Sequence, residues 1–220
     1  MITGAGLSLE GRPGHDTFAG ERVRDIATRR KWHSDPCFVR RWLDELRIRC
    51  AVALPGPAHE ALASLQRAMG ARSCVLATTA TDGLLQKASA EAVLELRGTV
   101  FQARCDAVPD HPRLQISAFE AKLPPCACGS DLRPDVVLAG EPLLQIERLE
   151  AAIEAADVVV AAGLDPTIAA WIARTARAAK THAIAFVGEG WGPGFDERLD
   201  LPAEVGIPEL VGNWLGAPAR

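Results

Sequence analysis

The sequence predicts an α/β protein, a parallel sheet with helices on both faces and a small cysteine-bearing module inserted into it. Three observations carry this. Short apolar runs alternate with amphipathic stretches through the carboxyl half, a glycine turn follows the first apolar residues, and periodicity is lost between Gln102 and Leu132, where three cysteines and several prolines gather. Alternation of that kind is the pattern of parallel strands joined by crossover helices.

Taken in order, Met1-Ile2-Thr3 leads straight into Gly4-Ala5-Gly6. A turn of this kind normally follows a full strand, so either the first strand is unusually short or the recorded start lies late. A glycine- and proline-rich loop runs from Gly11 to Gly20. Phe38, Val39, Trp42, Leu43 and Leu46 recur at helical spacing and predict a helix from about Asp35 to Arg49, closed by Pro55-Gly56-Pro57. A second helix is predicted from Ala58 to Met69, with Leu62 and Leu65 facing inward and Gly70 as its stop. Cys74 to Thr78 and Val93 to Leu96 read as short strands. After the module, Val136-Val137-Leu138 resumes the strand pattern. A helix from Pro142 to Ala156, a strand from Val158 to Ala162, a helix from Ile168 to Lys180 and a strand from Ala183 to Val187 follow, with a last short helix near Ile207 to Leu215. The predicted division is a nucleotide-binding domain over 1–101 and 134–220, with a helical insertion at about 21–54, and a small module over 102–133.

The chain has 220 residues, 48% apolar and 24% charged, with a net charge of −4, which predicts a globular protein without a nucleic-acid-binding surface. No apolar run approaches the roughly 20 residues that span a bilayer. The six cysteines are unevenly scattered and no secretion signal precedes the glycine turn, so reduced thiols or a metal site, and a cytoplasmic location, are expected. Cys37, Cys50 and Cys74 read as buried apolar fillers.

Several segments then appear in a telling order. Gly4-Ala5-Gly6-Leu7-Ser8 is similar to GAGIS, Pro55-Gly56-Pro57-Ala58-His59 with Ala61-Leu62 to PN-x-AH-x-AL, and Asp82-Gly83-Leu84 to the end of QNIDGLH. Leu94 to Gly98 is similar to an ELHG stretch, and Cys126-Ala127-Cys128-Gly129 with Leu132 to Glu141 to CPCG…LRPDVVLFGE. Together they resemble the sirtuins, the NAD-dependent protein-lysine deacylases, over nearly the whole chain. The resemblance implies a Rossmann-like fold and NAD or ADP-ribose as cofactor, held by Gly4, Ala5, Gly6, Ser8, Phe18, Asp82, Gly163 and Asp165. It also implies a protein or peptide partner and a zinc module. Glycines at such a turn let backbone approach a pyrophosphate. Asp82 would bond the nicotinamide carboxamide, or simply open its Asp-Gly turn. Asp165, in place of a serine, would accept from a ribose hydroxyl or cap the helix after Pro166.

The departures fall on the chemistry. The family's general-base histidine is replaced by Arg97, which stays protonated and cannot take that proton. Ala80 stands for the asparagine of QNID and Ala19 for the arginine that follows Phe18 in the family. Arg97 would bind a phosphate or carboxylate, or project to solvent. The zinc positions keep Cys105, Cys126 and Cys128, but Val108 occupies the fourth; His111 lies near enough to complete a Cys₃His set. Leu43 and Leu46 occupy the positions of the Tyr-x-x-Arg pair that reads acidic acyl groups, and Ala139 replaces a substrate-facing phenylalanine. The expectation is a divergent member that binds NAD or ADP-ribose without ordinary deacylation. The alternatives are an active NAD-dependent enzyme with altered chemistry (deacylation, ADP-ribosyl transfer or glycohydrolysis) and a structural or partner-binding relic.

Overall fold

The structure, a computed structural model, describes residues 1–4, 6–8, 16–120, 122–188 and 194–216. The elements run β1 (Ile2–Thr3), β2 (Thr17–Phe18), β3 (Glu21–Arg22), α1 (Val23–Ile26), α2 (Arg29–Ser34), α3 (Pro36–Val52), α4 (Pro57–Met69), β4 (Ala77–Thr78), α5 (Leu84–Lys87) and β5 (Leu94–Glu95). They continue with β6 (Gly98–Cys105), β7 (Leu114–Gln115), β8 (Leu132–Val136), α6 (Ile146–Glu154), β9 (Val158–Ala162), α7 (Pro166–Ala178), β10 (Ala183–Val187), β11 (Glu197–Leu199) and α8 (Ala203–Leu215).

Six strands form one sheet in the order β11-β10-β9-β1-β4-β5, every pair parallel. Helices cover both faces, as the sequence predicts. Leu62 and Leu65 of α4 pack with Ile207 and Val211 of α8 on one side. Leu149 and Ile153 of α6 join Ala169, Ile172 and Ala176 of α7 on the other. β1 leads first to β4 and β5 on one flank, and the chain returns through β9 and β10 on the other. Strand order therefore reverses at β1, and the carboxyl ends of β1 and β9 are where open sheets of this kind form a ligand crevice.

The helical insertion has its own core, where Trp32, Val39, Trp42 and Leu43 pack on Val100, Val136 and Leu138. α3 begins as sequence rules require: Asp35 accepts from the Phe38 amide at 3.1 Å and Pro36 takes the first turn. It ends where Lys87 Nζ gathers the carbonyls of Cys50, Ala51 and Ala53 at 2.7–2.9 Å. Cys50 and Cys74 are buried, as expected of fillers, but Cys37 is exposed on the outward side of the first turn of α3.

A separate antiparallel sheet, β7-β6-β8, carries the cysteine-rich segment. Val136 closes β8 on β6 and does not enter the parallel sheet. Three arginines and three carboxylates tie the parts together. Arg29 of α2 reaches Asp106 at 3.0 Å and Glu141 at 3.3 Å. Arg104 reaches Glu141 at 2.9 Å and Asp135 at 3.5 Å, and Arg133 pairs with Glu141 and, at 3.1 Å, with Asp106. Trp32 Nε1 donates to Asp106 at 3.1 Å. Charges this enclosed persist only because each has several partners.

Candidate functional site

The crevice floor is backbone. β1 delivers Gly4 and Gly6 to the switch point, and β9 delivers Gly163 beside them. A Cβ on Gly4 would lie 2.6 Å from the Gly163 carbonyl oxygen, and one on Gly6 would lie 2.7 Å from the Gly163 Cα. Gly163 itself has φ +56°, a left-handed conformation. The glycines are thus fixed by one another. Their amides are not free donors: Gly4 N–H donates to Ala162 O at 3.0 Å and Gly6 N–H to Gly163 O at 2.9 Å. What they offer a ligand is closeness, since none carries a side chain of its own. Ala5 lies outside the described residues.

Above this floor the carboxyl ends of β1 and β4 bring two side chains together. Ser8 Oγ donates to Asp82 Oδ2 at 3.0 Å, and both residues are buried. Asp82 Oδ1 accepts from the Leu84 amide at 3.1 Å, so the carboxylate also shapes the turn into α5. The backbone there is pinned: Thr79 N–H donates to Thr3 O at 2.9 Å and Ala80 N–H to Thr78 Oγ1 at 3.0 Å. Asp165 is exposed and caps α7, accepting from the Thr167 amide at 2.8 Å. Phe18 packs edge-on against Phe38 at 5.4 Å, on the core of the helical insertion.

Arg97 follows β5 and is half-buried. Its carbonyl accepts from the Val137 amide at 2.9 Å, and its Nη2 donates to Val137 O at 3.4 Å. The guanidinium is thus drawn toward the chain that runs into the Ala139-Gly140-Glu141 turn rather than projecting to solvent. Leu43 and Leu46 are buried core residues of α3. Arg47, one place on, is also buried and bonds Asp44 at 2.8 Å and the Glu120 carbonyl at 3.0 Å.

One titratable group escaped the sequence reading. Glu95 closes β5 two residues before Arg97, and its carboxyl accepts from the Gln86 side-chain amide. Burial pushes its carboxyl up to about 7, the Gln86 amide at 2.8 Å opposes the shift, and the nearby Asp135 and Asp82 carboxylates add to it. Its place between the buried Leu94 and Leu96 was the signal that could have found it.

In the module, the ligand atoms of Cys105, His111, Cys126 and Cys128 all lie within 4.8 Å of one another. His111 Nδ1 is 3.2 Å from Cys126 Sγ, and Cys105 Sγ is 3.6 Å from Cys128 Sγ. The Ser130 hydroxyl and amide pull the Cys128 thiol down to about 6, which favours the thiolate a metal needs. Three thiols and one imidazole suit tetrahedral zinc. Val108 gives no ligand, but its amide donates to Cys105 Sγ at 3.3 Å. Among the described residues, no helix is long and apolar enough to cross a membrane.

Comparison with known proteins agrees with this arrangement. The sequence model of the Sir2 family matches residues 4–169. An NAD-dependent protein deacylase 2 of Pyrobaculum aerophilum is 37% identical over 201 residues, covering 84% of this chain and 77% of its own. An NAD-dependent protein deacylase of Ralstonia nicotianae is 32% identical over 232 residues, covering 96% and 89%. Among solved structures, a Sir2 homologue in complex with NAD superposes with a TM-score of 0.81 at 28% identity, covering 98% of this chain and 88% of that one. A mutant Sir2 homologue in complex with 2′-O-acetyl-ADP-ribose gives 0.83 at 28%, covering 100% and 92%.

Proposed function

The chain belongs to the Sir2 family, and from that premise we propose that it binds NAD or ADP-ribose in the crevice above Gly6 and Gly163 while ordinary lysine deacylation is impaired. The residues present fit a dinucleotide. A floor of three glycines at a strand-order reversal lets a pyrophosphate approach the backbone, and the buried Ser8–Asp82 pair presents fixed polar groups beside it. A solved homologue at 28% identity holds NAD in the same fold, which supports the assignment.

The observation that carries the impairment is Arg97. When bound, NAD supplies the electrophilic ribose carbon, and the family reaction then needs a base for the ribose hydroxyls. A guanidinium cannot supply it, and Ala80 leaves no side-chain amide to hold a hydroxyl or water. Arg97 instead favours an anionic group, phosphate or carboxylate, at that end of the crevice. Cys105, His111, Cys126 and Cys128 would hold zinc as a structural ion that fixes the module.

Calorimetric titration with NAD and with ADP-ribose tests binding, and no heat at millimolar ligand removes the proposal. A second reading, an active enzyme with altered NAD chemistry, is favoured by the retained buried Asp82 and by relatives named as deacylases. Incubation with NAD, with and without an acetylated peptide, separates the two. Intact NAD supports the binder, and released nicotinamide supports the enzyme.

A further inference from the structure

The last turn of α3 is held from outside the helix. Its carbonyls lie where a helix has no further amides of its own, and the residue that would have served Ala51 O, Pro55, has no N–H. Lys87 Nζ supplies the donors instead. It reaches Cys50 O and Ala51 O at 2.7 Å each and Ala53 O at 2.9 Å. One ammonium thus directs all three of its hydrogens to one helix end, where the helix dipole also favours a cation. Beyond that end the chain leaves the helical insertion through Leu54-Pro55-Gly56. Leu54 is 80% exposed, so apolar packing adds little at this exit.

Lys87 is also the last residue of α5, a single turn of four residues, about 6 Å long. The first amide of that turn, Leu84 N–H, donates to Asp82 Oδ1 at 3.1 Å, and Asp82 Oδ2 accepts from Ser8 at 3.0 Å. Leu84 and Leu85 are buried, so α5 cannot slide without disturbing the core beneath it. Gln86 Nε2 donates to Glu95 at 2.8 Å and ties the same turn to β5. A run of direct contacts therefore leads from the buried carboxylate of the crevice, through one helical turn, to the exit of the helical insertion. It uses only residues 82–87 to do so.

We propose that Lys87 is a positioning residue that registers the helical insertion to the Asp82 turn, so that a ligand held against Asp82 steadies the last turn of α3. A shift of the Asp82 carboxylate moves the Leu84 amide with it. The turn that follows is too short to absorb the movement, and the ammonium at its end carries it to three carbonyls of α3. Coupling of this kind is reciprocal, so order in α3 also favours the ligand. The ligand half rests on the nucleotide-binding reading, whereas the mechanical tie between the two turns is present without ligand. A purely local cap would behave differently, loosening the end of α3 on its removal and leaving the Asp82 turn as it was.

Hydrogen exchange of the ligand-free parent in low denaturant tests the tie first. The amides of Ala53 and Leu84 should open as one unit, with the same dependence on denaturant, and independent opening overturns the proposal. Lys87→Met keeps the aliphatic stem and removes the donors, while Lys87→Arg returns donors. In the Met variant, exchange at Ala53 and at Leu84 should rise together by about tenfold, with Leu62 of α4 unchanged, and Arg should restore most of the protection. A rise confined to Ala53 makes Lys87 a local cap and overturns the proposal. Should the Met variant fail to fold, the parent and the Arg variant still decide. With saturating ADP-ribose, added protection should reach Ala53 in the parent but stop at Leu84 in the Met variant, whose Kd should be weaker by about fivefold or more. Ligand bound without protection at Ala53 overturns this inference and leaves the binding reading standing. Absence of heat removes the binding reading, and the ligand-free exchange then decides the role of Lys87 alone.

Discussion

Ser8 and Asp82 meet at 3.0 Å across 74 residues of sequence, and the contact joins the end of β1 to the turn that starts α5. A hydroxyl donating to a buried carboxylate is among the stronger hydrogen bonds of a fold. Ser8→Ala should cost about 1–3 kcal/mol and lower the melting midpoint by about 2–9 °C. A double-mutant cycle with Asp82→Asn should give a coupling of about 0.5–3 kcal/mol by calorimetry, and additive losses would count against a direct contact.

Arg97 predicts a gain by substitution. Arg97→His combined with Ala80→Asn restores a base and an amide where the family uses them. Formation of deacetylated peptide from an acetylated peptide and NAD should rise by about 10²-fold over the parent, the lower end of what a positioned base contributes. No change in the chromatographic assay would count against Arg97 and Ala80 as the cause of an impairment.

Glu95 predicts a pH dependence. Its carboxyl titrates at about 7 in the folded chain against an ordinary 4.5. Between those values the folded state holds the proton more than the unfolded state does. Its contribution is therefore present below about pH 4.5, falls as pH rises toward 7 and is lost above that. Glu95→Gln should flatten this slope, so that its midpoint relative to the parent improves by a few degrees from about pH 5 to pH 8.

The module predicts one metal per chain by elemental analysis. His111→Ala should speed loss of zinc to a chelator by about tenfold or more. Cys37→Ser, on an exposed residue outside the cluster, should leave zinc retention unchanged.

Arg47 predicts a stabilising change. Its Nε and Nη1 are buried without hydrogen-bond partners among the described residues, and its ion-pair partner Asp44 keeps about a third of its side chain exposed. Arg47→Met removes a desolvated charge and leaves a carboxylate that water reaches, so urea unfolding should shift upward by about 1 kcal/mol or more.

The elements legible in the sequence were those with one kind of neighbour. β9 and β10 are unbroken apolar runs because helices cover both faces, and α3 and α4 show stripes because one side of each is buried. β8 was illegible for the opposite reason. The strand pattern reads only from Val136, yet all five residues of Leu132-Arg133-Pro134-Asp135-Val136 are buried, since Arg104, Arg113 and Glu141 neutralise its charges and an edge position tolerates its proline. α6 starts at Ile146 rather than Pro142 because Leu144 N–H is taken by Leu96 O and Gln145 is left-handed, with φ 55°. In the site, motif order located Gly4, Gly6, Asp82, Gly163 and Arg97. That the glycine amides are consumed by β9, and that Ser8 belongs to Asp82, depends on strand order, which no local pattern reveals.

The mutual contact of Gly6 and Gly163 separates two kinds of inheritance in this molecule. The bed on which a ligand would rest is made of main-chain atoms, so almost any residue added there would collide, and drift is forbidden. The groups that would act on that ligand hang from neighbouring positions as side chains and are free to change. A lineage with such a layout can exchange the side chains that act on a ligand while the shape of the bed is kept, and the arginine after β5 marks one such exchange.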